Sequence, residues 1–167
     1  MSGRVVLVMG VAGAGKSTIA KALANRLGWT FQEGDAFHSP ANVAKMKSGR
    51  PLDDADRAPW LEAIAAWIDA EAGKGAHSVL ACSALKRRYR EVLIDGRLFV
   101  RLVYLEGSRA LIAERLAHRK HHYFPPDLLE SQFAALEAPL SVEHPIVVDV
   151  SLPLETQVEL IATALEA

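Results

Sequence analysis

Short unbroken apolar runs alternate along the chain with longer stretches in which apolar residues return every three or four positions. The first run, Val5-Val6-Leu7-Val8-Met9, is continuous and rich in β-branched residues, which predicts a strand covered on both faces. Over 18–27 the apolar residues Ile19, Leu23 and Leu27 fall four apart, the mark of a helix with one buried face. Gly28 suits the end of that helix, and Trp29-Thr30-Phe31-Gln32 predicts a second strand running into Glu33-Gly34-Asp35. A loop with Phe37, His38 and Ser39-Pro40 opens a short helix over 41–47, which Ser48-Gly49-Arg50-Pro51 breaks. Asp53, Asp54 and Asp56 gather where a helix start favours negative charge. Pro59, tolerated in a first turn, sets that start within a few residues before it. The stripe Trp60, Ile64, Trp67, Ile68 continues the helix, and the segment 73–75 closes it.

The second half repeats the alternation. Ser78-Val79-Leu80-Ala81-Cys82 predicts a third strand, followed by a basic helix that opens over 83–90. A fourth strand is expected over 98–105, then a helix over 109–120 capped by Gly107 and Ser108. The stretch 121–126 interrupts it, a further helix comes over 127–136, a fifth strand over 145–150 and a closing amphipathic helix over 154–165. Strands alternating with helices imply an α/β fold: a parallel sheet with helices on both faces, joined by right-handed crossovers. Periodicity carries no information about strand order.

With 167 residues, one domain with a proper core is expected. A formal net charge of −1 offers no global attraction for nucleic acid or an anionic membrane, so charge that binds anions must be local. Cys82 is the only cysteine and forms no internal disulfide, which fits a reducing cytoplasm. The few residues before the first strand are too short for a signal peptide, and no apolar run approaches membrane length.

Between the first strand and the first helix stands Gly-Val-Ala-Gly-Ala-Gly-Lys-Ser, from Gly10 through Ala12, Gly13, Ala14 and Gly15 to Lys16 and Ser17. Glycines carry the backbone through a tight loop with its N–H groups turned inward, the helix N-terminus adds partial positive charge, and Lys16 adds a full one. The ligand that satisfies all three is the polyphosphate of a nucleoside triphosphate, with Ser17 placed to ligate Mg²⁺ and Thr18 beside it.

Other strand ends bear on what the loop does with the γ-phosphate. Asp35 comes after the second strand, where a carboxylate can orient or deprotonate an acceptor hydroxyl, or hold Mg²⁺ through water. Arg115 and Arg119 are four apart and project from one helix face, placed to close over a triphosphate. Lys86 stands beyond a central strand, within reach of an anionic substrate, whereas Arg87 and Arg88 read as solvated. His118, His121 and His122 have no cysteine among them and are not read as a metal site. The third strand ends without the acid that often holds Mg²⁺ in phosphate-loop proteins, so metal binding leans on Ser17, the phosphates and Asp35 through water.

Taken together these blocks resemble a known family. Besides the phosphate loop they are Glu33-Gly34-Asp35 with Phe37-His38, Lys45-Met46 with Ser48-Gly49-Arg50-Pro51-Leu52, Asp53-Asp54-x-Asp56-Arg57 with Pro59-Trp60-Leu61, and Cys82-Ser83-Ala84-Leu85-Lys86 with Tyr89-Arg90. Later ones are Arg115-Leu116-x-x-Arg119-Lys120-x-His122-Tyr123-Phe124 and Leu128-Leu129-x-Ser131-Gln132-Phe133 with Leu136-Glu137-x-Pro139. In order and over nearly the whole chain, they look like bacterial-type gluconokinase.

That resemblance implies a phosphate-loop fold of nucleoside-monophosphate-kinase type, with a five-stranded parallel sheet and a helical lid over about 115–137. It implies ATP and Mg²⁺ as cofactors and transfer of phosphate to the 6-hydroxyl of D-gluconate by a cytoplasmic enzyme, commonly a homodimer. On these positions Lys16, Asp35 and Arg119 become catalytic, Gly10 and residues 12–18 with Arg115 and Arg119 hold the nucleotide, and Ser17 holds the metal. For the substrate it leaves Asp35, His38, Arg50, Arg57, Lys86 and Gln132, without saying which cation takes the carboxylate. Trp60 is expected to pack its helix rather than touch sugar. The rival readings are a kinase of the same build acting on shikimate or a nucleoside monophosphate, and a nucleotide-binding module without turnover.

Overall fold

The structure is a computed structural model that describes residues 3–118 and 126–166. Its centre is β1 (Val5–Met9), every residue of which is buried. Side chains alternate across a strand, so β1 feeds two cores. Val6 and Val8 pack with Ile19 and Leu23 of α1 (Lys16–Leu27) and Ile161 of α7 (Leu154–Glu166). Val5, Leu7 and Met9 pack on the other face with Trp60, Ile64 and Ile68 of α3 (Asp54–Gly73) and with Leu93 of α4 (Arg87–Ile94).

On either side β1 pairs in parallel with β3 (Ser78–Ala81) and β4 (Val100–Glu106), Val5 standing opposite both Ser78 and Val100. The edges are β2 (Thr30–Glu33), paired with β3, and β5 (Ile146–Asp149), paired with β4, giving the order β2-β3-β1-β4-β5. The chain leaves β1 towards one edge and later crosses to the other, so a crevice opens at the carboxyl ends of the central strands. The remaining helices are α2 (Pro40–Lys47), α5 (Arg109–Ala117) and α6 (Pro126–Ala135).

Several boundaries move for local reasons. The helix expected from residue 18 starts at Lys16, because Gly15 ends the loop in the left-handed region at φ 96°. Asp53 caps α3 in a reciprocal capping box with Asp56, which puts Pro59 at the sixth helical residue, beyond the first turn expected for it. Pro59 and Ala55 are both exposed, so water reaches the carbonyl that loses its partner. The fourth strand begins at Val100, two residues late, since Leu98 stands 98% exposed in the preceding turn. Ser83, Ala84 and Leu85 precede α4 instead of opening it, with Lys86 as its N-cap and Ala84 at φ 43°. Ser108 caps α5 by accepting from the Leu111 amide, as expected, but α5 ends at Ala117. No helix among the described residues is long and apolar enough to cross a membrane.

Candidate active site

The loop from Gly10 to Ser17 leaves the end of β1 and enters α1 through two left-handed glycines, Gly13 at φ 84° and Gly15 at φ 96°. Both angles suit only a residue without Cβ. At Gly13 a Cβ would also lie 2.9 Å from Leu116 Cγ, so α5 packs directly on the loop, whereas beside Gly15 there is open space. Gly10 and Ala14 are buried beneath, leaving Ala12, Gly13, Gly15, Lys16, Ser17 and Thr18 on the wall of a cleft of about 560 Å³. That volume suits a small molecule. Lys16 folds back over the loop, its Nζ donating to the Val11 carbonyl at 3.1 Å.

The turn after β2 also lines the cleft. The ends of β2 and β3 come together so closely that a Cβ on Gly34 would lie 2.5 Å from the Ala81 carbonyl oxygen and 3.2 Å from Cys82 Cβ. Trp60 donates from Nε1 to the Gly34 carbonyl at 2.8 Å, which holds the turn from the α3 side. Gly34→Ala is therefore expected to destabilise the fold by about 1–3 kcal/mol, the usual cost of overpacking, read as a lower midpoint in denaturant unfolding. An unchanged midpoint would mean that the two strand ends separate freely.

Asp35 is next in the chain, its side chain 74% exposed in the cleft. His38 is only 4% exposed along its side chain and stacks on Trp60 at 4.3 Å between centroids and 11° between planes. Its Nε2 lies 3.9 Å from Asp35 Oδ1. Burial holds His38 below its ordinary pKa, with Asp35 opposing and Arg57 assisting. Trp60 packs its helix as expected but also lines the cleft and carries His38.

Among the other substrate candidates, Arg50 and Arg57 line the cleft. Arg57 donates from Nη1 to the Leu52 carbonyl at 2.6 Å and to the Tyr89 hydroxyl at 3.3 Å. Gln132, expected as a substrate contact, lines it too, and its Oε1 accepts from the Ala12 amide at 2.6 Å, which ties it to the phosphate loop. Lys86 departs from the expectation. It faces an adjoining recess of about 220 Å³, with Nζ 3.3 Å from Oδ1 of Asp54 in α3. Asp54 also accepts from the Tyr89 hydroxyl, which chiefly holds its carboxyl below the ordinary range.

Arg115 is likewise away from the cleft wall, donating from Nη2 to the Val150 carbonyl at 2.5 Å where α5 packs beside β5. Arg119, with His121 and His122, lies outside the described residues. Glu33 was not singled out from sequence, although it accepts a hydrogen bond from the Ser17 hydroxyl. Its signal was the one credited to Asp35 alone, a carboxylate at the carboxyl end of a strand. Asn42 was missed as well: it is a buried polar residue reaching His38 Nδ1 from α2.

Comparison with known proteins agrees with this geometry. A family model described as an AAA domain matches residues 5–142. The chain is 52% identical to a gluconokinase of Gluconobacter oxydans over 136 residues, covering 81% of this chain and 76% of that one. Among solved structures, an unliganded sugar kinase from Janibacter superposes with a TM-score of 0.93 at 46% identity, over 98% of this chain and 95% of that one. A gluconokinase from Sinorhizobium meliloti superposes with a TM-score of 0.83 at 42% identity, over 95% and 89%.

Proposed function

The chain belongs to the gluconokinase family, and on that premise we propose that it transfers the γ-phosphoryl group of ATP to the 6-hydroxyl of D-gluconate, giving 6-phospho-D-gluconate and ADP. The observation that carries the reading is the meeting of the phosphate loop with Lys16 and of Asp35 on one cleft. Loop amides from Gly13 onward cradle the phosphates, and Lys16 exchanges the Val11 carbonyl for the β- and γ-phosphate oxygens. Asp35 accepts a hydrogen bond from the 6-hydroxyl and takes its proton as the oxygen bonds to phosphorus.

The Ser17 hydroxyl and the Glu33 carboxylate are hard oxygen donors already in contact, a pair that fits Mg²⁺. Held by these two residues, Mg²⁺ would supply neutralisation of the triphosphate's charge. Arg50, which makes no ion pair among the described residues, and Arg57 are the cations on the cleft wall that suit the gluconate carboxylate. The segment 115–137 serves as a lid in this reading, α6 already lining the cleft, with Arg119 and a released Arg115 completing the charge around the triphosphate. The enzyme works in the cytoplasm as a homodimer.

The test is ADP release against a panel of sugar acids, shikimate and nucleoside monophosphates. Gluconate-dependent release is expected. Release with shikimate or a monophosphate and not with gluconate would overturn the substrate, and no acceptor-dependent release with any of them would leave a module that only binds nucleotide.

A further inference from the structure

Behind Asp35 lies a chain of hydrogen bonds whose direction is fixed by chemistry. Asn42 Nδ2 is 2.9 Å from the Asp56 main-chain carbonyl, and a carbonyl only accepts, so the atom there is the amide nitrogen. The same nitrogen is 3.3 Å from His38 Nδ1. One of its two protons goes to Asp56 and the other points at the imidazole. A proton on Nδ1 would set donor against donor between a buried asparagine and a side chain only 4% exposed.

On the other side of the ring, Nε2 and Asp35 Oδ1 are 3.9 Å apart. That is too far for a hydrogen bond between them. It leaves room for one oxygen at about 2.8 Å from each, seen from which the two groups stand roughly at a right angle. We propose that Asn42 fixes His38 as the neutral tautomer protonated on Nε2, so that His38 and Asp35 offer one donor and one acceptor to the same acceptor hydroxyl. The proposal rests on the gluconate kinase reading and adds how the hydroxyl is aimed.

The hydroxyl proton points to Asp35, one lone pair receives the His38 N–H, and the other is left to face phosphorus. As the new O–P bond forms and the bond from phosphorus to the ADP oxygen breaks, the hydroxyl proton passes to Asp35. His38 keeps its own proton throughout. Asn42 touches no reactant and acts as a positioning residue, as does Trp60, whose indole lies flat on the imidazole.

The charged groups around this ring do not reverse the assignment. Asp35, from the turn that carries His38, favours the imidazolium, whereas burial and Arg57 from α3 oppose it. The Asp56 carboxylate is occupied by Lys45 of α2 at 2.6 Å and by the Asp53 amide at 3.0 Å.

The experiment is a ¹⁵N imidazole correlation spectrum of the labelled full chain at neutral pH, which reads the tautomer without any turnover. In the wild type His38 is expected to carry its proton on Nε2 with Nδ1 bare, and Asn42→Ala to give a mixture. A wild-type Nδ1–H tautomer, or an imidazolium, would overturn the proposal. In kinetics, His38→Leu is expected to lose about 10–100-fold in kcat/KM for gluconate, the scale of losing an orienting partner, with KM for ATP unmoved. His38→Gln, which keeps an N–H donor, recovers part of that loss. Equal activity in the two variants, or a loss shared equally by ATP and gluconate, would reduce the residue to packing. Should Asn42→Ala not fold, the wild-type spectrum and the two His38 variants still decide. Failure of the gluconate reading shows itself separately, as wild-type protein that releases no ADP with gluconate whatever the spectrum.

Discussion

Lys16→Ala is expected to abolish phosphoryl transfer, with turnover falling at least about a thousandfold. Removing a single neutral donor from an anion-stabilising site costs about 10²–10³ in rate, and Lys16 brings a full charge into the cleft. The fold should survive, since Lys16 is the first residue of α1 and alanine is the stronger helix former. The check is ADP release with gluconate at saturating ATP, beside a circular-dichroism melt that confirms folding. A folded variant within tenfold of wild type would mean that the loop amides alone carry the charge of the transition state.

Asp35→Asn separates acceptor activation from nucleotide binding. The substitution keeps size and polarity and removes the ability to take a proton, so kcat is expected to fall by about 10²–10⁴. Asp35 lines the same cleft as the phosphate loop but in this reading contacts the acceptor and not the nucleotide, so nucleotide affinity by calorimetry should scarcely change. Near wild-type turnover would show that the hydroxyl loses its proton elsewhere, and a matching loss of ATP affinity would place Asp35 on the nucleotide.

Much of this frame can be read from residue order because it rests on local chemistry. The unbroken run from Val5 to Met9 marks a strand buried on two faces, and the glycines with Lys16 and Ser17 mark a phosphate loop at its carboxyl end. The features that escaped depend on contacts between distant segments. No pattern inside β1 reveals that β3 and β4 flank it. Lys86 looked like a substrate ligand because it lies beyond a central strand, and only the approach of α3 with Asp54 turns it aside. Arg115 meets a carbonyl just past the carboxyl end of β5, and Gln132 an amide 120 positions earlier. Asn42 is invisible for a further reason: a lone asparagine in a short helix carries no periodic signal, and its meaning comes from the imidazole and carbonyl it joins.

The central place of β1 also governs how the polypeptide must be made. Its neighbours in the sheet start at residues 78 and 100, so this buried strand leaves the ribosome before either of them and has no partner for about 73 residues. At synthesis rates of about 5–20 residues per second, that wait is on the order of 4–15 s. During it a nascent β-prone segment lies open to chaperones or to its own kind, and folding can close only after most of the chain has emerged.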